Sequence, residues 1–246
     1  MARSCIFCDR TPTTRAHIFR RGWLDDLYPG RGRLTHSHQR NEPDSSFDHM
    51  WTASEADLKV NCACRQCNST WMDQLDHDAE DLFLNLAAIG FSVRLEHMAD
   101  RALLARWCAL IAILFDQAQG TPSLGPSTHR AIKDRVPDET RLWLLRIEPP
   151  EWEVQAWGYP RALTLTQDSA SVEAYFVTFG VGHLCVQGFI PADDAGRRVG
   201  FDRSAQAAWL KQLWPDPLVP LNWPPPRSLT WEEREKAANT FQHPEQ

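Results

Sequence analysis

The sequence predicts an α+β protein in which a cysteine-rich N-terminal part is followed by helices and then by a mostly antiparallel sheet. Three observations predict it. Two Cys-x-x-Cys pairs lie some sixty residues apart, apolar residues at helical spacing fill the middle of the chain, and short apolar segments separated by Pro or Gly follow residue 137. We place the boundary between two parts near residue 92, giving segments 1–92 and 93–246.

Four of the seven cysteines form the two pairs: Cys5, Cys8, Cys64 and Cys67. Two such turns supply four thiolates, the ligand set of a closed tetrahedral zinc site. An odd cysteine count and an N-terminus without an apolar signal-peptide core favour reduced, metal-binding thiols in the cytoplasm over a disulfide framework. The other three lie in apolar patterns and are predicted to be buried: Cys62, Cys108 and Cys185. Cys62 could also replace one sulfur of the second pair.

The segment between the two pairs is predicted to be mostly non-helical. An extended segment is expected at 11–19 and a short helical turn at 20–28. A long polar surface loop is expected at 30–54, and a return strand at 58–60. After the second pair, apolar residues at helical spacing predict an amphipathic helix from Ser69 to near Gly90.

The second part of the chain changes from a helical to a strand pattern. Helices are expected at 100–119 and 127–136, and the apolar stretch 109–115 is too short to span a bilayer. No membrane partner is therefore expected. Short strands are expected at 142–147, 153–157, 162–166, 172–178 and 183–189. The tail is predicted to carry helices at 204–213 and 231–241.

The net charge of −6 hides an asymmetry along the chain. Residues 1–40 contain eight arginines and three aspartates, a net charge of +5, whereas residues 41–100 contain twelve acidic and three basic residues, a net charge of −9. Arginine is suited to bidentate phosphate contacts. A solvated surface explains the asymmetry equally well on charge alone, but the arginines nearest His17 are candidate nucleic-acid contacts: Arg15, Arg20 and Arg21.

Two motifs carry a resemblance to a known family. The block Cys-Arg-Gln-Cys-Asn-Ser-Thr-Trp-Met-Asp-Gln-Leu-Asp at 64–76, and Ala-His-Ile at 16–18 after the first Cys-x-x-Cys, resemble the zinc-stapled form of the HNH (ββα-metal) endonucleases. Many bacterial and phage proteins share this layout. The resemblance covers residues 5 to about 90 and implies a ββα-metal module with a structural Zn²⁺ on the four cysteines.

The resemblance also implies a reaction and its residues. His17 would be the general base of a phosphodiester hydrolysis in DNA, and Asn68 would bind a catalytic Mg²⁺ or Mn²⁺ through its side-chain oxygen. A role in phage or mobile-element biology would fit. Taken singly, His17 is more often a packed or surface histidine and Asn68 an ordinary helix cap.

The chain departs from the family pattern at one position. The full motif has Asp or Glu directly before the histidine as a metal ligand, and this chain has Ala16. A substitute would have to come from elsewhere, and five side chains are candidates: His36, His38, Asp73, Asp76 and His77. The middle Asn of the family motif has no clear counterpart, since Asp57 or Asn61 would need a shifted register. The alternative hypothesis is therefore a catalytically impaired, zinc-stapled nucleic-acid-binding or scaffold protein.

Overall fold

A computed structural model gives the architecture. It describes residues 3–20, 22–27, 34–39, 48–53, 59–88, 90–119, 122–148, 156–167, 170–192, 206–215 and 220–233. The described part mixes helix and sheet, with a four-cysteine cluster near the N-terminus and an antiparallel sheet toward the C-terminus. The predicted fold class is confirmed at this level.

A two-stranded sheet and a helix organise the first part of the chain. Strand β1 (Thr13–His17) pairs antiparallel with β4 (Lys59–Cys64), with His17 opposite Lys59. Strand β4 runs directly into α2 (Arg65–Cys67), a π-helical turn (Asn68–Met72) and α3 (Asp73–Ala87). The short helix α1 (Trp23–Leu27) follows β1.

The predicted surface loop at 30–54 is wrong at 34–39 and 48–53, and the rest of that range lies outside the described residues. Strands β2 (Leu34–Gln39) and β3 (Asp48–Ala53) form an antiparallel hairpin, and β2 also pairs in parallel with β7 of the large sheet. The segment contains few apolar residues, so its composition is typical of a loop. Backbone hydrogen bonds to the neighbouring strands, which do not depend on composition, make it part of the sheet.

Helix α4 (Met98–Ala118) is the central element of the core. Its residues from Leu104 to Asp116 are buried apart from Arg106, as expected for a helix that is apolar nearly all round. It packs against α3, β4 and the large sheet. The ring of Phe115 comes so close to the sheet that a Cβ on Gly158 would lie 2.4 Å from it, so this contact requires glycine. A shorter helix, α5 (Pro126–Ala131), follows.

Together with β2 and β3, most of the remaining strands form one eight-stranded sheet, and two others form a separate antiparallel pair, Val93–Leu95 with Leu221–Trp223. The remaining strands are β5 (Val93–Leu95), β6 (Arg141–Glu148), β7 (Ala156–Gln167), β8 (Ala170–Val181), β9 (Leu184–Pro191), β10 (Leu210–Trp214), β11 (Leu221–Trp223) and β12 (Leu229–Thr230). The order in the large sheet is β10-β6-β9-β8-β7-β2-β3, with β12 beside β6. Only the β2–β7 and β12–β6 pairings are parallel within this sheet, so the prediction of a mostly antiparallel sheet is confirmed.

Two secondary-structure predictions in this part are wrong. The two strands expected at 153–157 and 162–166 are one continuous strand, β7. The helix expected at 204–213 gives way to strand β10, in which a register shift lies between Gln212 and Trp214. The buried Leu210 and Leu213 are three residues apart, which mimics a helical pattern, but they belong to two different hydrophobic clusters, as side chains on opposite faces of a strand can. Most of the helix expected at 231–241 lies outside the described residues.

One hydrophobic cluster joins the cysteine-rich part to the sheet. It contains Cys5 and Cys67, residues of α3 and α4, and inward-facing residues of β8 such as Phe179. The division into segments 1–92 and 93–246 stays a prediction. Among the described residues no helix is both long and apolar enough to cross a bilayer.

Candidate metal centre and adjoining cavity

The four predicted cysteines converge on one point. The Sγ atoms of Cys5, Cys8, Cys64 and Cys67 all lie within 4.8 Å of one another. Cys8 Sγ is 3.6 Å from Cys64 Sγ and 3.5 Å from Cys67 Sγ. Tetrahedral zinc bonded to thiolates at about 2.3 Å requires sulfur–sulfur separations of about 3.8 Å. The cluster can therefore hold a metal such as zinc.

Local hydrogen bonds shape the first cysteine turn and attach it to β4. The backbone N–H of Asp9 donates to the carbonyl of Cys5 at 2.8 Å, which closes the turn, and that of Ile6 donates to the carbonyl of Cys62 at 3.0 Å. The second pair lies where β4 becomes α2. Cys62 is buried on β4 and is not part of the cluster, so the ligand set uses Cys64.

The thiols of the cluster differ in acidity. Burial raises the pKa of Cys5 and raises that of Cys67 to about 12. For Cys64, hydrogen bonds from the backbone N–H of Cys67 and from neighbouring thiols outweigh burial and lower the pKa to about 7. A bound cation favours the thiolate form of every ligand, so metal binding by this cluster is expected to release protons.

Trp71 connects the cysteine cluster to the central helix. Its ring meets Phe7, which lies between the first two cysteines, edge-to-face with centroids 5.1 Å apart. The guanidinium of Arg106 on α4 lies over the same ring, 5.8 Å from its centroid. Arg106 also donates to the carbonyls of Ile132 and Lys133. The cysteine cluster is thereby packed against helix α4.

A cavity of about 350 Å³ lies beside the cluster and is lined by both predicted site residues. His17 is the last residue of β1, and Asn68 directly follows Cys67. The apolar part of the lining comes from Met72 and from Leu110 and Leu114 of α4. The polar lining consists of His17, Arg20, Asn68, Ser69, Asp73 and Asp76. An imidazole, a carboxamide, two carboxylates and a guanidinium therefore surround one space.

Ala16 contributes nothing to this cavity. Its side chain is fully buried in the hydrophobic cluster, whereas Asp73 and Asp76 line the cavity. His77, another candidate substitute for the missing acid, is exposed, and its Nδ1 lies 3.6 Å from Glu80 Oε2. Asn61 is exposed on β4, opposite Arg15. The remaining candidates, the side chains of His36 and His38 and all of Asp57, lie outside the described residues.

Two carboxylates of α3, those of Asp76 and Glu80, accept hydrogen bonds from tryptophan indole N–H groups. Trp107 Nε1 donates to Asp76 Oδ1 at 2.9 Å. One turn further along α3, Glu80 accepts from Trp23 Nε1 at 2.9 Å and from Arg20 Nη1 at 3.0 Å. Sequence reasoning missed the contact of Trp107, because an inward-facing tryptophan in an apolar helix gives no sign of what its N–H meets.

Asp76 is the most perturbed carboxyl of the cavity. Burial raises its pKa to about 7, although the hydrogen bond from Trp107 and the charge of Arg20 favour the ionised form. Asp73 and Glu80 add repulsion. Perturbed carboxyls in clefts are typical of functional sites.

The free energy of unfolding should depend on pH because Asp76 titrates. Because the pKa of Asp76 is raised in the folded state, its ionisation adds no penalty while the carboxyl is protonated in both states, below about pH 4, and increasingly destabilises the fold as the pH rises toward 7. The free energy of unfolding of the wild-type protein should therefore fall between pH 4 and pH 7. In Asp76→Asn we expect this fall to be smaller, by up to about 4 kcal/mol. Urea unfolding of both proteins across this range measures it. Identical pH profiles would contradict the raised pKa.

The three candidate nucleic-acid-binding arginines have different surroundings. Arg20 lines the cavity and is paired with Glu80, whereas Arg15 is exposed on β1. Arg21 lies outside the described residues. Their contact with nucleic acid stays a prediction.

Comparisons with known proteins give no family for this chain. No protein-family model, curated protein or solved structure matches it. The functional assignment therefore rests on the cysteine cluster and on the side chains that line the cavity beside it.

Proposed function

We propose that the protein is a metal-dependent endonuclease of the HNH type that hydrolyses phosphodiester bonds in DNA. The observation that carries the proposal is that His17 and Asn68, from separate elements, line one cavity next to the four-cysteine cluster. The order of elements supports it as well, because an antiparallel strand pair, β1 with β4, leads directly into a helix that begins at the second cysteine pair.

Each side chain has a definable task in this reaction. Hydrolysis needs a base that takes a proton from water, and an imidazole titrates close enough to neutrality to do so. His17 fills this role. The carboxamide oxygen of Asn68 is a hard ligand of the kind that Mg²⁺ and Mn²⁺ prefer. A divalent ion there would neutralise charge on the phosphate and on the leaving oxygen.

The cysteine cluster would supply the rigidity. His17 is separated from Asn68 by fifty residues, yet hydrolysis requires their side chains to be fixed relative to each other. β1 follows the first cysteine turn, and Asn68 adjoins Cys67. A structural Zn²⁺ on the four thiolates would hold both positions without itself meeting the substrate.

The test is cleavage of supercoiled plasmid DNA by the zinc-loaded protein. Nicked and linear products are expected when Mg²⁺ or Mn²⁺ is added and not when these ions are omitted. Omission is a better control than a chelator, because a chelator would also strip the cysteine cluster. A single-stranded DNA and an RNA substrate in parallel identify the preferred nucleic acid.

A second candidate function is a zinc-stapled protein that binds nucleic acid without cutting it. The buried Ala16, where the resembling family has an acidic metal ligand, favours this alternative. Plasmid that is retarded on a gel but stays supercoiled with every divalent ion would support it and contradict the endonuclease.

A further inference from the structure

We propose that Asn68 and Asp73 together hold the divalent ion, and that Asp73 supplies the carboxylate that position 16 lacks. This inference rests on the proposed function and names the ligands of that same site. It starts from an irregularity in the helix that follows the cysteines. Residues Asn68–Met72 form a π-helical turn between two α-helical segments. Such turns are rare and frequent at functional sites.

The π-turn changes which residues share a face of the helix. Its hydrogen bonds run from residue i to i+5, so it holds one residue more than an α-helical turn. In a continuous α-helix the neighbour of Asn68 one turn on would be Met72. A turn wider than that of an α-helix brings the next residue, Asp73, toward the same side as Asn68. Asn68, Met72 and Asp73 all line the cavity, so Asp73 shares this space with Asn68.

A carboxamide and a carboxylate at this spacing suit a hydrated divalent ion. Mg²⁺ keeps several waters and is usually bound through only one or two carboxylates. Asp73 is exposed and lines the cavity, so its side chain can approach a solvated ion without a large desolvation cost. His17 across the cavity is then left for proton transfer.

Asp76 is less suited to bind the same ion as Asn68. An α-helix completes two turns in about seven residues, a rise of about 11 Å, so Asp76 lies two turns from Asn68 once the additional residue is counted. One of its carboxyl oxygens already accepts the indole N–H of Trp107 at 2.9 Å. Ala16 offers no alternative, because its fully buried side chain places that position in the hydrophobic core.

Mn²⁺ binding without nucleic acid tests the inference. Isothermal titration of the zinc-loaded protein with Mn²⁺ is expected to show one further site. Asn68→Ala and Asp73→Asn should each weaken it at least tenfold, with zinc content and circular dichroism unchanged. Asp78→Asn is the matched control, because it removes the same charge from the same helix at an exposed carboxylate that accepts from Gln74 Nε2 at 2.7 Å.

The outcomes separate this inference from the proposed function. Loss of Mn²⁺ binding in Asp73→Asn supports the site even if no nucleic acid is cut. Mn²⁺ affinity that survives Asp73→Asn, or that is lost in Asp76→Asn instead, overturns it even if the wild-type protein cleaves DNA. Asp73→Glu, which keeps a carboxylate, should retain more of the affinity than Asp73→Asn, and equal losses in both variants would also count against it.

Discussion

Replacing Cys67 by alanine is expected to unfold the N-terminal part of the chain. Three thiolates cannot close a tetrahedral site, and structural zinc contributes about 10–16 kcal/mol to the folding of small zinc modules. A whole domain is typically stable by only about 5–15 kcal/mol, so losing even part of this contribution is decisive. Cys5 and Phe7 of the first cysteine turn belong to the large hydrophobic cluster, and Phe7 packs edge-to-face against Trp71.

The consequence should be measurable as metal content, resistance to protease and stability. We expect Cys67→Ala to lose bound zinc, to become sensitive to protease within residues 1–90 and to unfold at lower urea concentration. Cys62→Ala is the matched control, because Cys62 is buried on the same strand as Cys64 but is not part of the cluster. It should keep its zinc and lose only about 1 kcal/mol. Folded wild-type protein without any bound metal would contradict the prediction.

The cysteine cluster could be predicted from the sequence because its geometry is mostly local. Two residues three positions apart in a tight turn bring their sulfurs together whatever the rest of the chain does. The helix at 100–119 and the segments of the large sheet were predictable for a related reason. In α4 and β9 burial is nearly complete, so apolar residues mark the elements directly.

The errors occur where pairing or irregular geometry outweighs composition. The β2–β3 hairpin is held by hydrogen bonds to strands distant in sequence, and its polar residues give no apolar pattern. In β10 the buried Leu210 and Leu213 join two different hydrophobic clusters, so this strand shows the residue spacing of a helix. Both features depend on partners that a local pattern does not contain.

In the candidate site, too, some residues could be predicted from local sequence and others could not. His17 and Asn68 could be placed near each other because each adjoins an element tied to a cysteine pair, and both line the cavity. The contribution of Asp73 and Asp76 could not be chosen among five candidates. That choice depends on the π-turn at Asn68–Met72, after which Asp73 lines the cavity together with Met72. It depends also on Trp107, which approaches Asp76 from another helix.

His17→Ala is expected to abolish DNA cleavage and to leave the structure intact. A positioned general base contributes about 100- to 10,000-fold to the rate, so the loss should be evident in a plasmid-nicking time course. His17 is half-buried at the end of β1, where its backbone pairs with Lys59. Removing the imidazole keeps that pairing and the four cysteines, so zinc content and thermal stability should change little.

The discriminating comparison is with a second histidine variant. His77 is exposed on α3 and is not part of the cavity lining, so His77→Ala removes the same group from outside the cavity. It should cut DNA at the wild-type rate, whereas His17→Ala should bind DNA with near wild-type affinity and not cut it. Equal rates in the two variants would exclude His17 as the base. A joint loss of cleavage, zinc and DNA affinity in His17→Ala would instead show that the imidazole serves the fold, and the assignment of His17 as the base would then have to be withdrawn.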